Sequence, residues 1–198
     1  LEDDVVADVP FPALPQRAIF AFGQAASETY VSTSNLVNSS GVIAADVSGV
    51  GTVRYGTANA PFGTDKGIFR GGDGGSFLSL SNLVSNSGVV AADVTGVGTA
   101  TANGGGTGYG GDKGLMAYGD ISGAVTNVSN LISNSGVVSA NVTGVGTARS
   151  KPGGTGYGGD KGIIAYGYAG GYVSMSNLIN TSGVVASDVS GVGTVRNH

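Results

Sequence analysis

The chain repeats itself four times, and that repetition limits its architecture more than any other feature. Near-copies of one 20-residue segment begin at Ser34 (SNLVNSSGVIAADVSGVGTV), Ser81, Ser129 and Ser176, at spacings of 47, 48 and 47. A second anchor, Gly-Val-Gly-Thr, begins at Gly49, Gly96, Gly144 and Gly191, always 15 residues after the first. A third, Asp-Lys-Gly, begins at Asp65, Asp112 and Asp160, always 16 residues after the preceding Gly-Val-Gly-Thr, with Gln16-Arg17-Ala18 at the matching place in the first copy. From that anchor to the next Ser-Asn-Leu the count is 18, 16, 17 and 16. Length variation between anchors is confined to one segment, as for a surface loop between fixed elements. A period in this range indicates one supersecondary unit per repeat, stabilised by packing on its neighbours.

Within a repeat the hydrophobic period is two. In Tyr172–Ile179, Val173, Met175, Asn177 and Ile179 alternate with Tyr172, Ser174, Ser176 and Leu178, a strand pattern. Asp160–Tyr168 reads as a second strand and Val184–Val189 as a third, flanked by turn-forming Ser and Gly. Arg54–Asp65 has room for a short fourth. Both faces of these strands carry apolar or small residues, so each sheet must lie between two others. Sheets of this size packed radially make a β-propeller. The expectation is an all-β protein, a β-propeller of four blades over residues 5–53, 54–100, 101–148 and 149–198, forming one repeat domain over 1–198; a β-solenoid is the alternative. Equivalent positions (Val50, Val97, Val145, Val192; Leu36, Leu83, Leu131, Leu178) are expected to be similarly buried. Val5–Val9 is similar to VVASDV, so Val5–Leu14 is expected to supply the first blade's missing strand and close the ring. The alternatives are an excerpt from a longer array and a strand lent to a neighbouring subunit.

Composition narrows the function. The formal net charge is −4, whereas nucleic-acid binding needs a basic footprint. No apolar run approaches the roughly 20 residues of a membrane-spanning helix, so neither nucleic acid nor membrane insertion is expected. The absence of cysteine excludes disulfides, thiol catalysis and Cys-based zinc sites. The single histidine is the last residue, His198, which leaves no internal base for a Ser-His-Asp triad. Glu28, Asp73 and Asp120 break the repeat symmetry but all fall in the variable loop, and no catalytic residue is assigned.

Lys66-Gly67-Ile68-Phe69-Arg70-Gly71-Gly72, then Leu78–Val84, Val89–Val94 and the closing Arg54, Arg149 and Arg196, form an order that resembles the kelch-type propeller repeat. The double Gly occurs only in the second copy, the usual Trp is absent, and Thr101 replaces one closing Arg. The Gly-rich segments GYGGDKGI and GVGTAR resemble kelch-like arrays of bacteriophage tail and virion proteins. The resemblance implies a non-enzymatic structural or receptor-binding module, localised to a virion or extracellular assembly, partnered by other protein subunits of that assembly or by a cell-surface glycan. No cofactor is implied. A soluble glycan-binding lectin propeller is the rival.

Four residues are candidates for ligand binding. Tyr109 and Tyr157 lie in Gly-rich segments, where an aromatic ring can stack on a sugar while its hydroxyl stays wet. Asp112 and Asp160 follow them and could join a ring of carboxylates gathering a cation at one mouth of the propeller, but a strand-entry turn is the preferred account of Asp-Lys. Asn35, Asn82, Asn130 and Asn177 are assigned a structural role, satisfying backbone groups at the same place in each repeat.

Overall fold

The computed structural model describes residues 18–197. It is all-β, with eleven strands and one 3₁₀ turn (Ala26–Glu28) among the described residues. Strands β1 (Ala18–Gln24) and β2 (Tyr30–Val37) form the first sheet. The second contains β3 (Ala58–Phe62), β4 (Lys66–Arg70) and β5 (Ser81–Val84); the third, β6 (Gly105–Tyr109), β7 (Lys113–Ile121) and β8 (Ala124–Ile132); the fourth, β9 (Gly153–Tyr157), β10 (Lys161–Ala165) and β11 (Ser176–Ile179). All pairings are antiparallel and follow chain order. Each repeat is therefore one sheet. The expected Val184–Val189 strand forms only isolated bridges, Val185 with Ile179 and Val189 with Ser176. Its equivalents in the other repeats behave in the same way.

The two-residue alternation divides each strand between two neighbours. Phe69, Val84 and Val90 of the second sheet pack against Ile19, Ala21, Phe22 and Val50 of the first. Ala58, Ala60, Phe62 and Ile68, on its other face, pack with Met116 and Ile132 of the third. Tyr109, Leu115 and Tyr118 of the third then pack with Ile164, Ile179 and Val185 of the fourth. Adjacent residues such as Ile68 and Phe69 thus face opposite neighbours, which explains why no polar stripe marks these strands. Contacts between sheets concentrate along their first strands, where β6 meets both β3 and β9. Gly106 makes close approach possible there, because a Cβ would lie 2.0 Å from the Asn59 carbonyl oxygen.

Three core clusters join the four sheets in chain order, and among the described residues none joins the fourth sheet to the first. The fold is thus a succession of small antiparallel sheets. Val5–Leu14 lies outside the described residues, and with it the expected closing strand. The expectation of equal burial needs correction. Leu36, Leu83 and Leu131 are half-buried but Leu178 is exposed. Val50 and Val145 are half-buried, Val97 is 38 % exposed, and Val192 is 87 % exposed. These positions are covered by the following sheet, and the fourth has none among the described residues.

Candidate functional site

The repeated polar residues meet at the junctions between sheets. Each of the four Asn side chains donates its Nδ2 to a backbone carbonyl nine residues on: Asn35 to Ala44, Asn82 to Ala91, Asn130 to Ser139 and Asn177 to Ala186. Each also donates to the side chain eleven residues on, Asp46, Asp93, Asn141 or Asp188. The structural role read from the sequence holds in every copy. The amide bridges backbone groups that the irregular fourth segment does not pair in a regular ladder.

This Asn-Asp pair then receives the end of the preceding repeat. Thr147 donates its backbone N–H and its Oγ1 to Asp188 Oδ2 at 3.0 and 2.7 Å. Thr52 does the same to Asp93 at 3.0 and 2.7 Å. Two residues on, Arg54 and Arg149 are 0 % exposed. Arg149 Nη2 donates to Asn177 Oδ1 at 2.7 Å and to the Ile164 carbonyl at 3.2 Å, while Arg54 Nη2 donates to Asn82 Oδ1. Nη1 of each approaches the carboxylate to 3.8 Å (Arg54 to Asp93) or 4.0 Å (Arg149 to Asp188). The guanidinium carbon sits over an aromatic ring, Arg54 over Phe22 at 3.9 Å and Arg149 over Tyr118 at 3.8 Å from the ring centre. Such desolvated cation–π contacts stabilise by about 2 kcal/mol.

The geometry of the aromatic residue is unusual. Phe22, Tyr118 and Tyr166 have φ of 62°, 66° and 65°, the left-handed region that bulky side chains avoid. The pairing register shifts across Phe22 and Tyr118, so each is a bulge residue, and a bulge redirects a side chain. Burial under the guanidinium sustains the strain. Gly71 holds this place in the second repeat at φ 70°, which accounts for the double Gly found only there.

That repeat also has Thr101 where the others have Arg. Its arginine comes from β4 instead: Arg70, buried, reaches into the same slot. It donates to the Val97 and Thr99 carbonyls and to Thr101 Oγ1. The facing Asp is here Asn141, which exchanges hydrogen bonds with Thr99. Sequence reasoning recorded the missing closing Arg and missed its replacement. The signal was present: the one copy that loses the Arg and the aromatic is the one that gains Arg70.

Charge states follow from this packing. Burial pushes the Arg54 guanidinium down, and Asp93 opposes the shift. Burial alone lowers Arg70. For Asp93 and Asp188, burial raises the pKa, but hydrogen bonds from Thr and Asn and the nearby Arg outweigh it, so both carboxyls lie below the ordinary value.

The four candidate ligand residues do not form one site. Tyr109 and Asp112 border a shallow groove of about 430 Å³ between the hairpin ends of the second, third and fourth sheets; neither Tyr157 nor Asp160 lines it. Tyr109 is buried in the junction core and packs near Gly183 of the fourth sheet, so its ring is withdrawn from stacking on a ligand. Phe62 occupies the same place one repeat earlier, against Gly136. Tyr157, the next in this series, is 41 % exposed. Asp112 and Asp160 each pair with the adjacent lysine, Lys113 at 2.8 Å and Lys161 at 3.1 Å, as Asp65 does with Lys66. These are strand-entry pairs. A larger groove of about 910 Å³ runs between β1 and the β3–β4 hairpin; the first sheet carries no equivalent of β3 among the described residues.

Glu28 lies in the 3₁₀ turn of the first sheet and Asp73 in the segment after β4, but Asp120 lies within β7, where it pairs with Val125, so the expectation that all three fall in a loop needs correction there. Asp73 accepts from Tyr55 and from the Gly75 N–H, and Asp120 from Asn103. Among the described residues, no group of three or more His, Cys, Asp or Glu side chains is placed to hold a metal ion. No helix there is long and apolar enough to cross a membrane. No family model and no curated protein matches the chain.

Proposed function

We propose that this chain is a non-enzymatic structural module of a virion or other extracellular assembly, in which consecutive sheets step around an axis as propeller blades. One observation carries the reading. The polar residues repeated in register (Thr, Arg, Asn and Asp of the junctions) bond from sheet to sheet, so the recurring chemistry is spent on architecture. The radial arrangement is supported by contacts that concentrate along the first strands, since sheets closest at one edge diverge at the other. The scarcity of charged side chains, 11 % of the chain, suits a protein held by neighbours.

The exposure of Tyr157 beside Asp160 and Lys161 favours one other reading, a glycan-binding module with protein subunits absent from its role. Two measurements separate the classes. Immunogold labelling of the native source is expected to decorate assembled particles, and label confined to free protein would overturn the assembly role. A glycan array is expected to show no specific binding. Specific binding lost in Tyr157→Ala would replace the scaffold by a lectin.

A further inference from the structure

The two faces left uncovered at opposite ends of the succession are the two halves of the internal junction. Consider the trailing face of the fourth sheet. The Arg196 guanidinium lies 3.6 Å above the Tyr166 ring, and its Nη1 donates to the Thr194 carbonyl at 3.3 Å. Arg149 is held in the same way by Tyr118 and by the Thr147 carbonyl at 3.2 Å. Yet Arg149 is fully buried and Arg196 is exposed. Among the described residues, Arg196 Nη2 has no counterpart of the Asn177 oxygen that Arg149 reaches. Around it, Tyr157, Leu178 and Val192 stand exposed, at the positions whose equivalents in the third sheet (Tyr109, Leu131, Val145) pack on the fourth.

The leading face of the first sheet is the converse. Asn35 donates to Asp46 at 2.8 Å, so the acceptor pair is formed. No Thr or Arg occupies it among the described residues, and Asp46 is exposed. Phe20 is 61 % exposed and Ile43 is likewise open, whereas Phe69 and Val90, their equivalents in the second sheet, are buried against the sheet before. Donor and acceptor halves are thus each preorganised, and each carries the apolar patch that the other covers at internal junctions.

We infer that the chain associates head to tail with a second copy of itself, the trailing face of one fourth sheet seating on the leading face of another first sheet. Arg196 would donate to Asn35 Oδ1, and Thr194 to Asp46, reproducing the bonds of Arg149 and Thr147. The two faces differ, so the contact is heterologous, and it continues until it closes into a ring or extends as a filament. Two copies closed on each other would bring together eight of the described sheets, within the roughly four-to-eight blade range of propellers. This names the partner within the assembly reading and rests on that reading for its biological setting.

Sedimentation velocity of the full chain tests it with two variants, Arg196→Glu and Asp46→Arg. Both side chains are exposed and each makes only a local contact, Arg196 with Tyr166 and Asp46 with Asn35, so in dilute, monomeric solution the urea midpoints should fall by less than about 0.5 M. Wild type is expected to sediment as a dimer or larger species with rising concentration. Each variant alone should be weakened at least about tenfold, since reversal sets like charges together. An equimolar mixture should recover a 1:1 dimer, because each variant retains the face that the other has lost. A wild type that remains monomeric, variants that associate as well as wild type, or a mixture that does not dimerise would each overturn head-to-tail pairing. A monomeric wild type that still labels on native particles leaves the scaffold role intact with a different subunit as partner.

Discussion

Arg149 and Arg196 are the same residue in the same repeat context, stacked on equivalent tyrosines at 3.8 and 3.6 Å. They differ in whether a following sheet covers them, so truncating each to Ala measures the junction. Arg149→Ala strands two acceptors, Asn177 Oδ1 and the Ile164 carbonyl, at about 1–3 kcal/mol each. It also removes a desolvated cation–π contact of about 2 kcal/mol. Release of the guanidinium from its desolvated site offsets part of this sum, and removal of one member of a buried charged network costs about 3–5 kcal/mol net. Arg196→Ala loses an exposed stacking contact of about 0.5–1 kcal/mol. Urea unfolding at neutral pH, followed by circular dichroism with a slope of about 2 kcal/mol/M, should shift by roughly 1.5–2.5 M for Arg149→Ala and by less than about 0.5 M for Arg196→Ala. Measured under dilute, monomeric conditions, equal shifts for the two variants would refute the claim that the next sheet, rather than the local stack, gives the arginine its energetic role.

The second junction and the acid limb test the same reasoning from other directions. Arg70→Ala should destabilise by about 3 kcal/mol, and adding Thr101→Arg should recover part of that loss by restoring a guanidinium to the slot; a double variant no more stable than Arg70→Ala would show that the two positions do not substitute for one another. Asp93 and Asp188 have folded pKa values below the ordinary value, so the unfolded chain takes up their protons first as pH falls. Their stabilisation is complete above the unfolded value near 3.9 and is lost as pH drops through the lower folded values. Asp93→Asn with Asp188→Asn should flatten the decline in thermal midpoint between about pH 5 and pH 2, and an unchanged slope in that window would remove these carboxylates from the acid response.

The sequence alone determined the unit and its number. Anchors that recur four times, 15 residues apart in every copy, require four equivalent elements, and a period of two with β-branched residues requires strands, because these signals are local and survive without knowledge of any neighbour. The Asn role was legible for the same reason: its partners lie nine and eleven residues away in the same repeat. What lay between repeats was not legible. Thr147 meets Asp188 41 residues away, and Arg149 meets Asn177 28 residues away; no short-range pattern marks such pairs, and the resulting burial separates Arg149 from Arg196 although their surroundings in sequence are alike. Tyr109 and Tyr157 show the same division, one ring enclosed by the following sheet and the other left in solvent. Arg70 replaces Arg at 101 only because β4 and the repeat's closing segment converge in space. Local periodicity determines which residues pair within a sheet. The stacking of one sheet on the next decides which identical residues become buried, since burial belongs to the neighbour and not to the residue.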